Sequence, residues 1–169
     1  MNLLTEALKI SEELDGVVFV GAIAVRAHTG RGRETQDIDL ALASHTSEEE
    51  LEKRGYLTYD ENGKRVRRSP RGVRVDIYTK DVSGIEVAAI SKTAKSKVVK
   101  PGRSIRVMCI EASLLSKLRS SRPSRPQDAE DIRELCTHRG AEIEWTVFGD
   151  LDATDMEIQR LKEIVRSLK

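Results

Sequence analysis

What this chain has little of narrows it first. No stretch approaches the roughly 20 consecutive apolar residues that cross a bilayer, so no membrane-spanning helix is expected. Aromatics make up 4% of the 169 residues, which leaves aliphatic side chains to hold the core. Cysteine is limited to Cys109 and Cys136, with no C-x-x-C pair and no histidine at zinc-ligand spacing; buried, inert thiols are expected rather than a disulfide or a zinc site. Net charge is nearly absent at +1, so the molecule as a whole has little long-range pull on a polyanion. Met1 to Ser11 has neither the basic head nor the apolar centre of an export signal, and the expected location is cytoplasmic, with no membrane contact.

What is present is an ordinary folded composition, 38% hydrophobic and 34% charged, read as one domain over residues 1–169 with a helical C-terminal portion from about 111 to 169. The charge is unevenly spread. Lys64, Arg65, Arg67, Arg68, Arg71 and Arg74 form one basic cluster. From Val87 to Ile110 there is no acid, while Lys92, Lys95, Lys97, Lys100, Arg103 and Arg106 are all present.

The pattern of apolar residues predicts a helix over 2–14, a short buried strand over Val17–Val20, and a helix over 22–28. A glycine-rich basic loop over 29–36 leads to a strand at Asp37–Leu42. Thr46 or Ser47 caps a helix reaching Arg54, and a hairpin joins Tyr56–Tyr59 to Lys64–Arg68 through Asp60-Glu61-Asn62-Gly63. Strands are expected over 72–79 and 105–110, and helices over 111–119, 127–138 and 155–168. Serine, lysine and glycine accumulate between about 80 and 104 in the manner of a linker, without dividing the domain. The fold class is α+β, a mixed sheet with flanking helices.

In a strand, side chains alternate between faces, so Asp37 and Asp39 share one face while Ile38 and Leu40 enter the core. The strand around Asp76 repeats this: Val73, Val75 and Ile77 face the core and Asp76 the other side. If the two strands are neighbours, three carboxylates meet. Such a cluster calls for a cation, and magnesium, which takes carboxylate and phosphate oxygens, suits phosphoryl or nucleotidyl transfer. Gly21, between strand and helix, lets phosphate approach helix N–H groups, and Arg31 and Arg33 on the following loop can neutralise phosphate charge.

Phe19-Val20-Gly21-Ala22, then Arg33-Glu34-Thr35-Gln36-Asp37-Ile38-Asp39-Leu40, with Asp76 on a later strand, resembles the nucleotidyltransferase superfamily that includes DNA polymerase beta and small bacterial and archaeal, toxin-type members. Glu111-Ala112-Ser113-Leu114-Leu115-Ser116-Lys117-Leu118, followed by Arg122, Arg125, Asp128, Asp131 and Ile132, is similar to the helical half of those toxin-type proteins. The resemblance covers about residues 17 to 135. It implies a nucleotidyltransferase-like fold and transfer of a nucleoside monophosphate from a nucleoside triphosphate to a hydroxyl of RNA, protein or a small molecule. It also implies that Asp37 and Asp39 hold Mg2+ (or Mn2+), that Asp76 joins them and helps activate the acceptor, and that Gly21, Ala22, Arg31, Arg33, Thr35 and Lys117 serve the nucleotide. Ala22 departs from the family, which has Gly or Ser there; alanine offers no hydroxyl to phosphate, only its backbone N–H.

Each of these residues has a plainer reading. Arg31 and Arg33 can be solvated loop charges, Lys117 a surface lysine, and Asp128 and Asp131 a structural network with Arg122, Arg125 or Arg133. His28 packs or caps at its helix end, and Trp145 fills a gap in the C-terminal core. Ala22 motivates a second function, a catalytically weak nucleotide- or RNA-binding module paired with an antitoxin. The acid-free basic stretch makes RNA a candidate partner, contacted through phosphates because no aromatics are interleaved.

Overall fold

The computed structural model describes residues 2–169. Helix α1 (Leu3–Glu13) leads to β1 (Val17–Phe19), α2 (Gly21–Thr29) and β2 (Asp37–Leu42). Then come α3 (Glu48–Lys53), the hairpin β3 (Leu57–Glu61) and β4 (Lys64–Arg68), and β5 (Arg74–Tyr78). A two-stranded ribbon of β6 (Asp81–Val82) and β7 (Ile85–Glu86) precedes α4 (Val87–Thr93), β8 (Lys95–Lys100) and β9 (Arg103–Val107). The C-terminal part is helical: α5 (Ile110–Ser120), α6 (Pro126–Arg139), a short α7 (Val147–Asp150) and α8 (Asp155–Ser167).

Seven strands form one mixed sheet in the order β3-β4-β5-β2-β1-β9-β8. β1, all of whose residues are buried, lies between β2, antiparallel to it, and β9, parallel to it. β5 joins β2 in parallel. A strand central to a sheet with helices on its faces must be apolar on both sides, which is why Val17-Val18-Phe19 carries no polar residue. This is the α+β mixed sheet with flanking helices that the chain's patterning predicts.

Local chemistry explains the element ends. Ser47 accepts the Glu50 N–H at the start of α3, whose first turn holds Glu48, Glu49 and Glu50 where the helix dipole favours them. The β3–β4 turn is tighter than the expected four-residue loop: Asn62 and Gly63 take φ of 54° and 76°, the two left-handed residues of a two-residue hairpin turn. Thr154 and Glu157 close a reciprocal capping box on α8.

Four expectations are corrected. The stretch 80–104 is no linker: it holds β6, β7, α4 and β8. Its edge strand is exposed and lysine-rich, which in one dimension looks like a solvated connection. The last strand is Arg103–Val107 rather than 105–110, because Cys109 becomes the cap of α5, its Sγ accepting the Ala112 N–H. β5 begins at Arg74 rather than Gly72, since Gly72 closes a turn on the Ser69 carbonyl. Tyr56 precedes β3 instead of starting it, fully buried with its hydroxyl donating to Glu13.

Both cysteines are free and buried, and burial pushes each thiol up to about 11, so neither is a ready thiolate. His28 packs as expected, its Nε2 2.7 Å from the Met108 carbonyl oxygen. Trp145 stacks on Phe148 within the C-terminal core. Among the described residues no helix is long and apolar enough to cross a membrane.

Candidate active site

The sheet register decides the site. β2 and β5 run side by side with Asp39 opposite Asp76 and Asp37 opposite Arg74. Ile38 and Leu40 are fully buried, as alternation requires, so Asp37, Asp39 and Asp76 rise from one face. The two strands are neighbours, and the three carboxylates share one face of the pair.

Gly21 forms the wall beside Asp39. Its φ is +61°, and a Cβ at this position would stand 2.6 Å from Asp39 Oδ2, so only glycine leaves the carboxylate its place. Helix α2 begins here without a side-chain cap: Val20 is extended at the N-cap and its side chain makes no capping bond. The first-turn N–H groups, including that of the nearly buried Ala22, thus remain available to an anion.

Electrostatics single out Asp39. Burial first, then the neighbouring Asp37 and Asp76, push its carboxyl up to about 6, with Lys117 and Arg33 only partly offsetting them. The other two acids are partly engaged. Thr35 Oγ1 donates to Asp37 Oδ1, and Arg74 stands 3.5 Å from Asp76 Oδ2. Among the described residues no three His, Cys, Asp or Glu side chains are gathered at metal-ligand spacing. The three carboxylates share a face and a common repulsion rather than a finished shell.

The helical part supplies cations to this face. Lys117 of α5 is buried, not surface-exposed, and its Nζ lies 3.2 Å from Asp128 Oδ1 and 2.8 Å from Asp131 Oδ2. Asp128 is held further by Arg125 at 3.2 Å and by the Ser120 hydroxyl at 3.0 Å. Arg33 reaches across to Asp131 at 3.7 Å, and its Nε is buried without a hydrogen-bond partner. Asp128 and Asp131 thus form an ion network, with Lys117 and Arg33 as well as the anticipated Arg125. Arg31 is not brought in: it stays exposed on the loop, its carbonyl accepting from Thr29.

Tyr78 went unnoticed in the sequence. It stands two residues beyond Asp76 on the same face, and burial together with Asp39 and Asp76 pushes its hydroxyl up to about 12. The same alternation that picks out Asp76 marks Arg74 and Tyr78 as its companions. The carboxylates lie apart from the groove of about 740 Å³ between α5, α6 and α8, which is lined by residues such as Leu118, Ile132, Met156 and Ile164.

No protein-family model matches the chain, and no curated protein sequence does. Solved structures do. An antigenic nucleotidyltransferase-like protein from Paracoccidioides brasiliensis superposes with a TM-score of 0.58 at 15% identity, covering 98% of this chain and 88% of that one. The antibiotic-resistance factor ANT(2'')-Ia superposes with a TM-score of 0.56 in its solution structure and 0.55 in its complex with adenylyl-2''-tobramycin. Identity is 19% in both cases, over 98% of this chain and 90% and 95% of the other. At such low identity the likeness is one of fold, and the fold is that of the nucleotidyltransferases.

Proposed function

We propose that this chain is a metal-dependent nucleotidyltransferase, moving a nucleoside monophosphate from a nucleoside triphosphate to an acceptor hydroxyl with release of pyrophosphate. The observation that carries it is the register of Asp39 against Asp76 on parallel neighbours, with Gly21 packed so closely on Asp39 that no side chain fits. A buried carboxylate repelled by two others is costly unless a cation joins it, and an oxygen-only donor set suits Mg2+ or Mn2+. Asp37, Asp39 and Asp76 would hold the ion. When bound, it would neutralise charge between the attacking and leaving oxygens.

The chain's own groups supply the rest. The uncapped start of α2 donates N–H groups to phosphate at Gly21 and Ala22. Arg33 and Lys117, held in place by Asp131 and Asp128, face the charge that builds on the departing pyrophosphate. Asp76, half-buried on β5, accepts the proton of the acceptor hydroxyl as its oxygen bonds to the α-phosphorus and the bond to the β-phosphate oxygen breaks. Tyr78, beyond Asp76, lines the approach of the acceptor.

The test is incubation with labelled triphosphates, Mg2+ and total cellular RNA, protein and small hydroxyl compounds, following label and pyrophosphate together. Transfer that needs the divalent ion and disappears in Asp39→Asn is expected. Triphosphate binding without any product would overturn the catalytic assignment in favour of a binding module, the reading Ala22 motivates.

A further inference from the structure

We propose that Leu57, Tyr59 and Val66 form an acceptor shelf beside the carboxylates, and that the acceptor is a small hydroxyl compound carrying a ring with an apolar face. The choice of acceptor rests on the nucleotidyltransferase reading above; the shelf rests on the register of the sheet and the polarity of one hairpin.

The hairpin of β3 and β4 turns its apolar residues toward the site. Arg68 pairs with Leu57 on one side and with Arg74 on the other, and Arg74 pairs with Asp37. Cross-strand partners share a face, so by alternation Leu57, Tyr59, Val66 and Arg68 stand on the face of Asp37, Asp39 and Asp76. The other face, which carries the buried Ile38 and Val75, receives Thr58, Asp60, Arg65 and Arg67 from the hairpin. A hairpin that served only the core would point its apolar residues the opposite way.

This apolar side is open. Leu57 is 43% and Tyr59 47% exposed, while Val66, opposite Tyr59, is buried. β3 is an edge strand two strands from β5, so at about 4.8 Å per strand Tyr59 stands about 10 Å from the strand of Asp76. A two-ring compound with its reacting hydroxyl at Asp76 covers that span, its far ring flat on Tyr59.

The Tyr59–Val66 pair also steadies the hairpin, as aromatic and β-branched neighbours do. That role is served on either face, and it leaves unexplained the exposed Leu57, which pairs with Arg68. Three cations of the hairpin region already have carboxylates: Arg68 has Glu61, Arg67 has Glu48 and Arg74 has Asp76. Apolar contact is therefore what the shelf offers. The lysine-rich β8 does not add to it, being four strands from β5, with Lys95 in register with Val107, Phe19 and Leu40 on the face opposite Asp39.

The test compares phenyl β-glucoside with methyl β-glucoside, which has the same hydroxyls and no second ring, each offered with labelled triphosphate and Mg2+. Wild type favours the phenyl compound at least about tenfold in kcat/KM. L57S/Y59S removes the preference by raising KM for phenyl glucoside with kcat kept, whereas Tyr59→Phe, which keeps the ring, retains it. Saturation-transfer NMR without triphosphate follows docking alone. The phenyl protons receive saturation from wild type and from Asp39→Asn, and not from L57S/Y59S.

Equal transfer to the two glucosides, no saturation of the phenyl ring, or a preference indifferent to the double variant overturns the shelf, even if label moves to another acceptor. Tyr59-dependent saturation without transfer to any hydroxyl compound leaves the shelf standing and overturns the catalytic reading. A higher kcat/KM for an RNA 3′ end than for phenyl glucoside overturns the assignment to a small molecule.

Discussion

Two clusters of buried and half-buried acids stand in this protein, and their partners set them apart. In the first, Glu6 and Glu13 of α1 meet the segment after β4. Ser69 donates to one oxygen of Glu6 and Arg71 to the other, while Arg71 and Tyr56 both donate to Glu13. Burial raises the Glu13 carboxyl, but the bonds from Arg71 and Tyr56 outweigh it, and the net shift is downward. In the second, burial of Asp39 is reinforced by two more acids, and its carboxyl rises to about 6. A buried acid whose oxygens are all met by donors holds the fold together. One packed among its own kind is a strain the fold tolerates only where a ligand relieves it.

The contrast breaks most visibly at Asp39. Asp39→Asn removes an anion from among anions, so transfer should fall at least about 1,000-fold while the melting temperature stays level or rises. A fall in Tm measured by calorimetry would show that Asp39 belongs with the structural acids. Gly21→Ala attacks the same carboxylate through the backbone. A Cβ 2.6 Å from Asp39 Oδ2, at φ +61°, displaces it. Transfer should drop on the order of 100-fold with a stability loss of only about 1 kcal/mol, read by kinetics and urea unfolding of one preparation.

The opposite behaviour is expected at the first cluster. Arg71→Ala strands two carboxylates, one of them only 1% exposed. Since Arg71 is itself a quarter exposed, the cost is reduced to about 2–3 kcal/mol, or a fall in Tm of about 5–10 °C, with kcat of the folded protein unchanged. The smallest effect is in pH dependence. A carboxyl held below its ordinary 4.5 in the folded state stabilises the protein above that value and loses the contribution as pH falls through the lower, folded value. Wild type should therefore lose stability below pH 4.5 faster than Glu13→Gln, and chemical denaturation between pH 5 and 3 would show the two curves converging.

Much of the site is written locally. The alternation of Asp37-Ile38-Asp39-Leu40 assigns faces without knowledge of the sheet, because successive side chains in any strand point oppositely. Gly21 between an apolar strand and a helix marks a backbone turn for the same kind of reason, as does Asn62-Gly63 in the hairpin. Neither Lys117 nor Arg71 could be read this way. A lysine on a helix and an arginine in a turn look solvated in one dimension, and the acids that hold them are distant in the chain.

What the sequence by itself determined was therefore the identity and face of each candidate acid, the order of the elements outside residues 80–104 and the segregation of basic residues into one acid-free stretch. Tertiary structure alone decided that β5 pairs with β2 in the register that sets Asp76 beside Asp39, that Lys117 and Arg33 converge on Asp131, and that the basic stretch becomes the rim of the sheet. Side-chain alternation and turn geometry follow from neighbouring bonds. Strand pairing and buried ion networks depend on contacts between segments far apart in the chain, and those exist only once the core has closed.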